Sequence, residues 1–465
     1  MTMNQVLPKN RTFDEIKVGE TVSLTRLVSA EDAQLFSPGV NPAHLDPKYP
    51  ATDAFGHIAI HGIWIGALIS AVLGTRLPGP GTTYLGQELH FLKAAAPGDV
   101  VTATVIVREK RQEERIVILD TICKNQKGEQ IVTGVATVIA PADKLVLPPV
   151  APPEVALRRH DRYEPFIAKA RALPPLLTAI VHPCSVEALQ AAVEAHNEGL
   201  VTPVLVGPEA KIRTVADAAR LSLRGLKIIA TEHSHAAAEK AVFLAASGQV
   251  DALMKGSLHS NELLEAVVAP QSGLRTERRI SHVYVMDAPA YPKPLIVTDA
   301  AINIAPTLAQ KRDICQNAVD FLQRLGVAGP LVAVLAAVET IDPAMPATLD
   351  AACLAMMARR GQITGAQVDG PLAFDNAVSL DAARIKEIVS PVAGKADILV
   401  APNLEAANML AKQLIYLGGA DAAGLVLGAR APIILTSRAD SLRARLASVA
   451  FAKLIKDNNR LKEPL

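Results

Sequence analysis

Three stretches carry residue types suited to holding an anion. In APIILTSRADSLRARLASV an apolar run passes directly into Ser437 and Arg438, with Asp440 close behind. Where a buried strand leads into a helix, free backbone N–H groups, the positive end of the helix dipole and a guanidinium together attract phosphate or carboxylate. In LVAPNLEAANMLAKQLIYLGGA, Asn403 and Asn408 stand at the start of a predicted helix that ends at Gly418-Gly419. In LMKGSLHSNELLEAVV, Lys255 and Gly256 close a short apolar run, and Arg275, Arg278 and Arg279 follow in GLRTERRISHVYVMDAP. A fourth stretch, FSPGVNPAHLDP, sets His44 and Asp46 on a turn begun by Asn41-Pro42, which suits acid–base chemistry. Each stretch also has a purely structural reading. Ser437 and Asp440 match a capping box, Asn403 a helix cap, and the arginines a solvated face.

These residues need elements to position them. Over residues 82–140 the runs TYLGQELHFL, VVTATVIVRE, RIVILDTICK and QIVTGVATVIA are separated by turn clusters, the pattern of an antiparallel meander. HGIWIGALISAVLG is the long apolar helix available to cover it, ending at Gly74 with Pro78 just beyond. Ser29 to Asp32 reads as the cap of a shorter helix. A sheet wrapped around one buried helix is the α+β hot-dog fold, expected over residues 1–144. Proline clusters make 145–166 a semi-rigid linker. From 167 to 465 strand-like runs (LLTAIVH, TPVLVG, LKIIAT, ALMKG, PLVAVLAAVE, ADILVAP, APIILTS) alternate with helical ones, which predicts βαβ units, a parallel sheet and a two-lobed α/β domain.

Composition narrows the partners. Charged residues are 20% and aromatics 3% of the chain, so the core must be aliphatic, and a net charge of +1 offers no footprint for nucleic acid. The apolar stretch from Gly62 to Leu73 is shorter than the ~20 residues a membrane span requires. Cys123, Cys184, Cys315 and Cys353 are scattered, without a C-x-x-C pair. His57 and His61 lack the glutamate of a zinc H-E-x-x-H motif, and neither a Walker loop nor a dinucleotide fingerprint is present. We therefore expect a cytoplasmic protein with no metal site, no tightly bound cofactor and a small-molecule substrate.

From about Leu176 to Lys456 the chain resembles the phosphate acetyltransferase and phosphate butyryltransferase family. The resemblance rests on MKGSLHSNELL, RRISHVYVMDAPAYPKPLIVTDAAINIAP, APNLEAANMLAKQLIYLGGA and LTSRADS, with YPKPLIVTDAAINIAP closer to the butyryl branch. It implies reversible acyl transfer between CoA and phosphate, giving acyl phosphate and CoA. By match to the motifs, Ser437 and Arg438 are the catalytic pair, Arg438 on phosphate or on the transition-state charge, Arg279 is a second phosphate-site cation, and Lys255, Asn403 and Asn408 line the substrate site. The acetyl branch has a base aspartate about two helical turns after the Ser-Arg pair, where Ala444 stands here; Asp440 is the nearest substitute. The fold this implies is shared with isocitrate-type dehydrogenases, which leaves an oxidoreductase as an alternative, although the metal-binding aspartates of that chemistry are not evident.

NPAHLDPKYPATDAFGHIAIHGIW resembles the MaoC-like (R)-specific enoyl-CoA hydratases. The resemblance implies that His44 is a catalytic base, Asn41 belongs to its loop, and backbone N–H groups near Gly62 face a thioester carbonyl. The family's aspartate position holds Gly39, which cannot accept a proton. The N-terminal half is therefore expected either to hydrate with another acid or to serve as a non-catalytic acyl-CoA-binding or assembly module. Both resemblances imply a homo-oligomer.

Overall fold

The computed structural model describes residues 9–29, 32, 35, 60–145, 162–436 and 440–460. The chain divides into two compact units, Met1–Leu157 and Arg158–Leu465, each with its own apolar core.

The first unit contains β1 (Thr21–Leu27), α1 (Gly62–Thr75), β2 (Thr83–Phe91), β3 (Val100–Arg111), β4 (Ile116–Lys124) and β5 (Gln130–Ile139). Its antiparallel sheet runs β1-β3-β4-β5-β2. Helix α1 has no charged residue and is apolar all round, the composition of a helix meant for a core. Trp64, Ile65, Leu68, Ile69, Val72 and Leu73 are buried there, in one cluster with the alternate residues Val101, Ala103, Val105 and Val107 of β3. Each large apolar side chain so buried contributes roughly 1.5–3 kcal/mol. His61 caps the helix, its Nδ1 accepting the Ile63 N–H at 3.4 Å. The last turn closes when the Arg76 N–H reaches Val72 O, and Pro78, without an N–H, cannot extend it. This is the hot-dog arrangement the sequence predicts, with the reciprocal Ser29–Asp32 capping box also in place.

Two features differ from the sequence expectation. Strand β1 was not anticipated, because TVSLTRL is mostly polar and exposed; it is an edge strand held by pairing with β3, including hydroxyl pairs Ser23–Thr104 and Thr25–Thr102. The meander is also incomplete. Tight turns at 112–115 and 125–129 join β3, β4 and β5 as neighbours, whereas the longer connection at 92–99 carries the chain from β2 at one edge across to β3.

The second unit opens with α2 (Glu164–Arg171), β6 (Leu176–Val181), α3 (Val186–Asn197), β7 (Val201–Gly207), α4 (Glu209–Ala218), β8 (Lys227–Ala230), α5 (Ser234–Ala246), β9 (Ala252–Lys255) and α6 (Ser260–Val268). There follow β10 (Ser281–Asp287), β11 (Leu295–Thr298), α7 (Leu308–Arg324), β12 (Leu331–Leu335), α8 (Pro346–Arg359), β13 (Gln367–Leu372), α9 (Phe374–Val378) and α10 (Leu380–Ile385). The chain ends with β14 (Ile398–Val400), α11 (Leu404–Tyr416), β15 (Asp421–Leu427), β16 (Ile433–Ile434) and α12 (Leu442–Arg460). One sheet of eleven strands runs β13-β12-β14-β11-β10-β15-β16-β9-β6-β7-β8.

The expected parallel sheet is found at both ends but not in the middle. Strand β10 is antiparallel to β11 and β15, and β15 to β16. The reason is connection length: only residues 288–294 link β10 to β11, too few for a crossover helix. One face of the sheet carries a continuous core, with Val283 and Val285 of β10 joined to α7 and α12. The other face carries two clusters, one around α5 and α6, the other around α11. Along β10 that face reads Ile280, His282, Tyr284, Met286, with Ile280 in the first cluster and Met286 in the second.

His282 therefore lies between two apolar clusters, fully buried, and neither ring nitrogen has a partner. Its ring meets Tyr284 edge-on at 4.4 Å. Burial depresses its pKa from the ordinary 6.5 to about 3. The fold holds the neutral ring, so this contribution to stability is complete above pH 6.5 and declines as the pH falls toward 3, at up to about 1.4 kcal/mol per unit. We expect the urea midpoint of the native protein to fall faster between pH 7 and pH 4 than that of His282→Phe; parallel curves would refute this account.

Candidate functional site

The side chain of Asp299, directly after β11, is buried at 3% exposure. Its carboxylate accepts the backbone N–H groups of Ala301 (3.0 Å), Ile302 (3.0 Å) and Asn303 (3.2 Å), as well as Asn303 Nδ2. Burial raises its pKa, and these donors oppose the rise. Asn303, thus fixed, donates to Ile280 O and accepts Arg279 Nε at 2.7 Å. The Arg279 N–H is bonded to Asp313 Oδ2 at 3.1 Å, so backbone and guanidinium are both anchored. Arg279 lines a cavity of about 870 Å³ together with Arg275, Arg278, Arg312 and the α6 residues Ser260 and Asn261. Glu265, Glu277 and Asp313 share the lining, and Arg312 pairs with Asp313 and Arg278 with Asp320, so it is the fixed Arg279 guanidinium, beside the first turn of a helix, that is equipped to hold an anion.

Lys255 borders a different and much smaller cavity, with Ser185, Gly256, Thr436 and Arg445. It is the last residue of β9 and is buried. Gly256 is dictated by packing: a Cβ there would stand 2.4 Å from Val181 O and 2.6 Å from His182 O. Ser257 Oγ donates to His182 O at 2.8 Å and accepts the Cys184 N–H at 3.2 Å, locking the Lys-Gly-Ser turn onto the end of β6. Burial also lowers the pKa of His182.

The remaining predicted residues have varied surroundings. Ser437 and Arg438 lie outside the described residues, as do His44, Asn41, Gly39 and His57. Asp440 is half-buried, and its charge helps burial push the Tyr284 phenol up to about 12. Ala444 is buried in the first turn of α12, its N–H bonded to Ser441 Oγ at 3.1 Å. Asn403 Oδ1 caps α11 by accepting the Ala406 N–H at 2.9 Å, and Asn408 Nδ2 donates to Ala300 O at 3.0 Å. Both asparagines thus brace α11, Asn408 directly against the segment between Asp299 and Asn303. Gly62 opens α1, where a Cβ would meet the Phe91 ring at 2.7 Å.

Sequence reasoning missed Asp299 and Asn303, although both stand in the PKPLIVTDAAINIAP stretch. The signal was an aspartate directly after an apolar strand with an asparagine four residues on. The cysteines are free, and burial pushes Cys123 and Cys315 up to about 12, so neither is a nucleophile near neutrality. Among the described residues no group of three or more His, Cys, Asp or Glu is arranged to hold a metal, and no helix is long and apolar enough to cross a membrane.

Comparison with known proteins matches residues 230–453 to the family model described as phosphate acetyl/butaryl transferase. A phosphate acetyltransferase of Rhizobium meliloti is 58% identical over 63% of this chain and 93% of its own length. The crystal structure of a branched-chain phosphotransacylase from Enterococcus faecalis V583 is 31% identical, with a TM-score of 0.54 over 60% of this chain and 99% of that one. A probable phosphate butyryltransferase of Bacillus subtilis (strain 168) is 43% identical over 62% of this chain and 95% of its own length. The R-hydratase PhaJ1 from Pseudomonas aeruginosa is similar over 33% of this chain and 99% of its own, at 38% identity and a TM-score of 0.31. Through its second unit, with the Asp299–Asn303–Arg279 network at one end of β10, the chain belongs to the phosphate acetyl/butaryl transferase family.

Proposed function

We propose that the chain is a phosphate acyltransferase, converting acyl-CoA and phosphate to acyl phosphate and CoA, fused to a MaoC-like acyl-CoA domain. The observation that carries the reading is the Arg279 guanidinium held by Asn303 on an arginine-lined cavity. Phosphate and the CoA phosphates are all anions, so the site must offset several charges before a phosphate oxygen can approach a thioester carbonyl. Arg279 is suited to hold one of them without reorganising, which is the condition for electrostatic catalysis.

In this reading Ser437 and Arg438 stabilise the oxyanion that forms as phosphate adds, and the CoA sulfur departs as the carbonyl re-forms. Lys255 lends positive charge beside Thr436, and Asp440 exchanges the proton of the CoA thiol, taking the role of the aspartate that Ala444 replaces. Asn403 and Asn408 act by bracing α11. Of the expected linker 145–166, the end from Tyr163 onward belongs to the second unit through α2 and its core, and we assign the part before it as the linker between the two domains; we read the two clusters on one sheet face as two lobes like those of isocitrate-type dehydrogenases. We also propose a cytoplasmic homo-oligomer. The exposed apolar residues Met409, Tyr416 and Leu417 on and beside α11 support the assembly, being 66, 70 and 76% exposed.

For the first unit we propose acyl-CoA binding by the loop of Asn41 and His44 and the N-terminus of α1 at Gly62. This rests on the NPAH stretch and on a central apolar helix that opens at Gly62.

Three measurements test these assignments. Protein beginning near residue 160 should release free thiol from acyl-CoA only when phosphate is supplied; phosphate-independent release would count against transfer. Arg279→Gln should raise the KM for phosphate by about tenfold to a hundredfold, the worth of a charged hydrogen bond, and Asn303→Ala should raise it less, both with the KM for acyl-CoA little changed. Crotonyl-CoA hydration by the native protein should be weak and should increase in Gly39→Asp; robust native activity would mean that another acid already serves His44.

A further inference from the structure

A second cavity, of about 410 Å³, lies along the segment that carries Arg279 and has no place in the reaction above. Three guanidiniums from three parts of the fold border it: Arg278 ahead of β10, Arg324 at the end of α7, and Arg430 in the turn between β15 and β16. The carboxylates on its wall are Asp320 and Glu277. Asp320 is shared, pairing with Arg278 and accepting Gln316 Nε2 at 2.8 Å. The arginines therefore outnumber the acids, on a wall that also includes Phe321, Ile455 and Leu427. Burial lowers the pKa of Arg324; Asp320 opposes this and Arg278 adds to it.

We propose that this cavity is an effector site for a compact polyanion bearing phosphate or carboxylate groups. Guanidinium forks match both groups bidentately, and the volume falls within the roughly 300–1,000 Å³ of small-molecule sites. An occupant would be felt at Arg279 by two short routes. Thr276, Glu277 and Arg278 border this cavity and the Arg279 cavity alike. Asn317, on the effector wall, donates to Arg279 O at 2.9 Å and to Ser281 Oγ at 3.0 Å. A ligand that draws Arg278 away from Asp320 shifts the backbone on which Arg279 is mounted, and phosphate bound at Arg279 must reciprocally alter the ligand's affinity.

Binding does not depend on the transferase reading, while the effect on turnover does, so the two are measured separately. Pyrophosphate and citrate are titrated calorimetrically into the full chain carrying Arg279→Gln, which weakens the competing anion site. At least one of them should bind with a single site, and the added changes Arg324→Gln or Arg430→Gln should each weaken it tenfold or more. Which of the two binds identifies the phosphate or the carboxylate class. Arg430 is exposed, so its replacement keeps the test open if the Arg324 variant folds poorly. Absence of binding, or binding unchanged by both substitutions, overturns the proposal. With native Arg279, the anion that binds should shift the KM for phosphate at least twofold, and Arg430→Gln should abolish the shift while leaving the basal kcat in place. A shift that persists in Arg430→Gln would mean competition at the phosphate site and would overturn the coupling.

Discussion

The second unit depends on one buried carboxylate. Asp299 is nearly inaccessible and its pKa is raised by burial, so an ionised group there is tolerable only because four donors converge on it. Three of them are consecutive backbone N–H groups, which forces the chain after β11 into one tight turn. That turn delivers Asn303 with its amide oriented, and the amide sets the Arg279 guanidinium. The arginine precedes β10 and the aspartate follows β11, so the antiparallel pairing of these strands brings the two ends together. A crossover helix between them would have made the strands parallel and left the two residues at opposite strand ends.

Reversal of direction at the centre of the sheet also explains why the candidate residues occupy two places. The strands from β6 to β9 run parallel with β16, and Lys255 and Thr436 emerge from one shared end. Arg279 and Asn303 stand at the Ser281 end of β10, whereas Asp440 and Ser441 follow β16, where Ser441 Oγ donates to Asp421 at the start of β15. Asp421 pairs with Asp287 at the far end of β10. Helix α6 links the two places, because it begins a few residues after Lys255 and its Ser260 and Asn261 line the Arg279 cavity.

Much of this was legible in the sequence, for physical reasons. Helix α1 is uniformly apolar and bounded by a capping residue and a proline, so its existence and its burial follow from composition alone. The buried strands β6, β7, β9, β12 and β14 read as aliphatic runs between helical periods for the same reason. Strand β1 was not legible, since an edge strand held by backbone pairing and hydroxyl contacts leaves no apolar alternation. The antiparallel centre was hidden for another cause: aliphatic runs identify strands but carry no direction, and the short links at 288–294 and 428–432 encode it. In the site, Arg279 and Lys255 were found through their charge. Asp299 and Asn303 were missed because a buried polar pair is recognisable by its partners, and those are brought together by the fold.

The two units solve a similar problem with different means. A glycine stands at a strand or helix end in each unit, Gly62 beside the exposed Phe91 ring and Gly256 fixed against the backbone of Val181 and His182. In the first unit the glycine opens an uncharged helix. In the second, the glycine follows a buried lysine in a unit whose main cavity is lined by arginines, which suits phosphate. This difference in charge accords with the second unit being the one that belongs to the phosphate acetyl/butaryl transferase family.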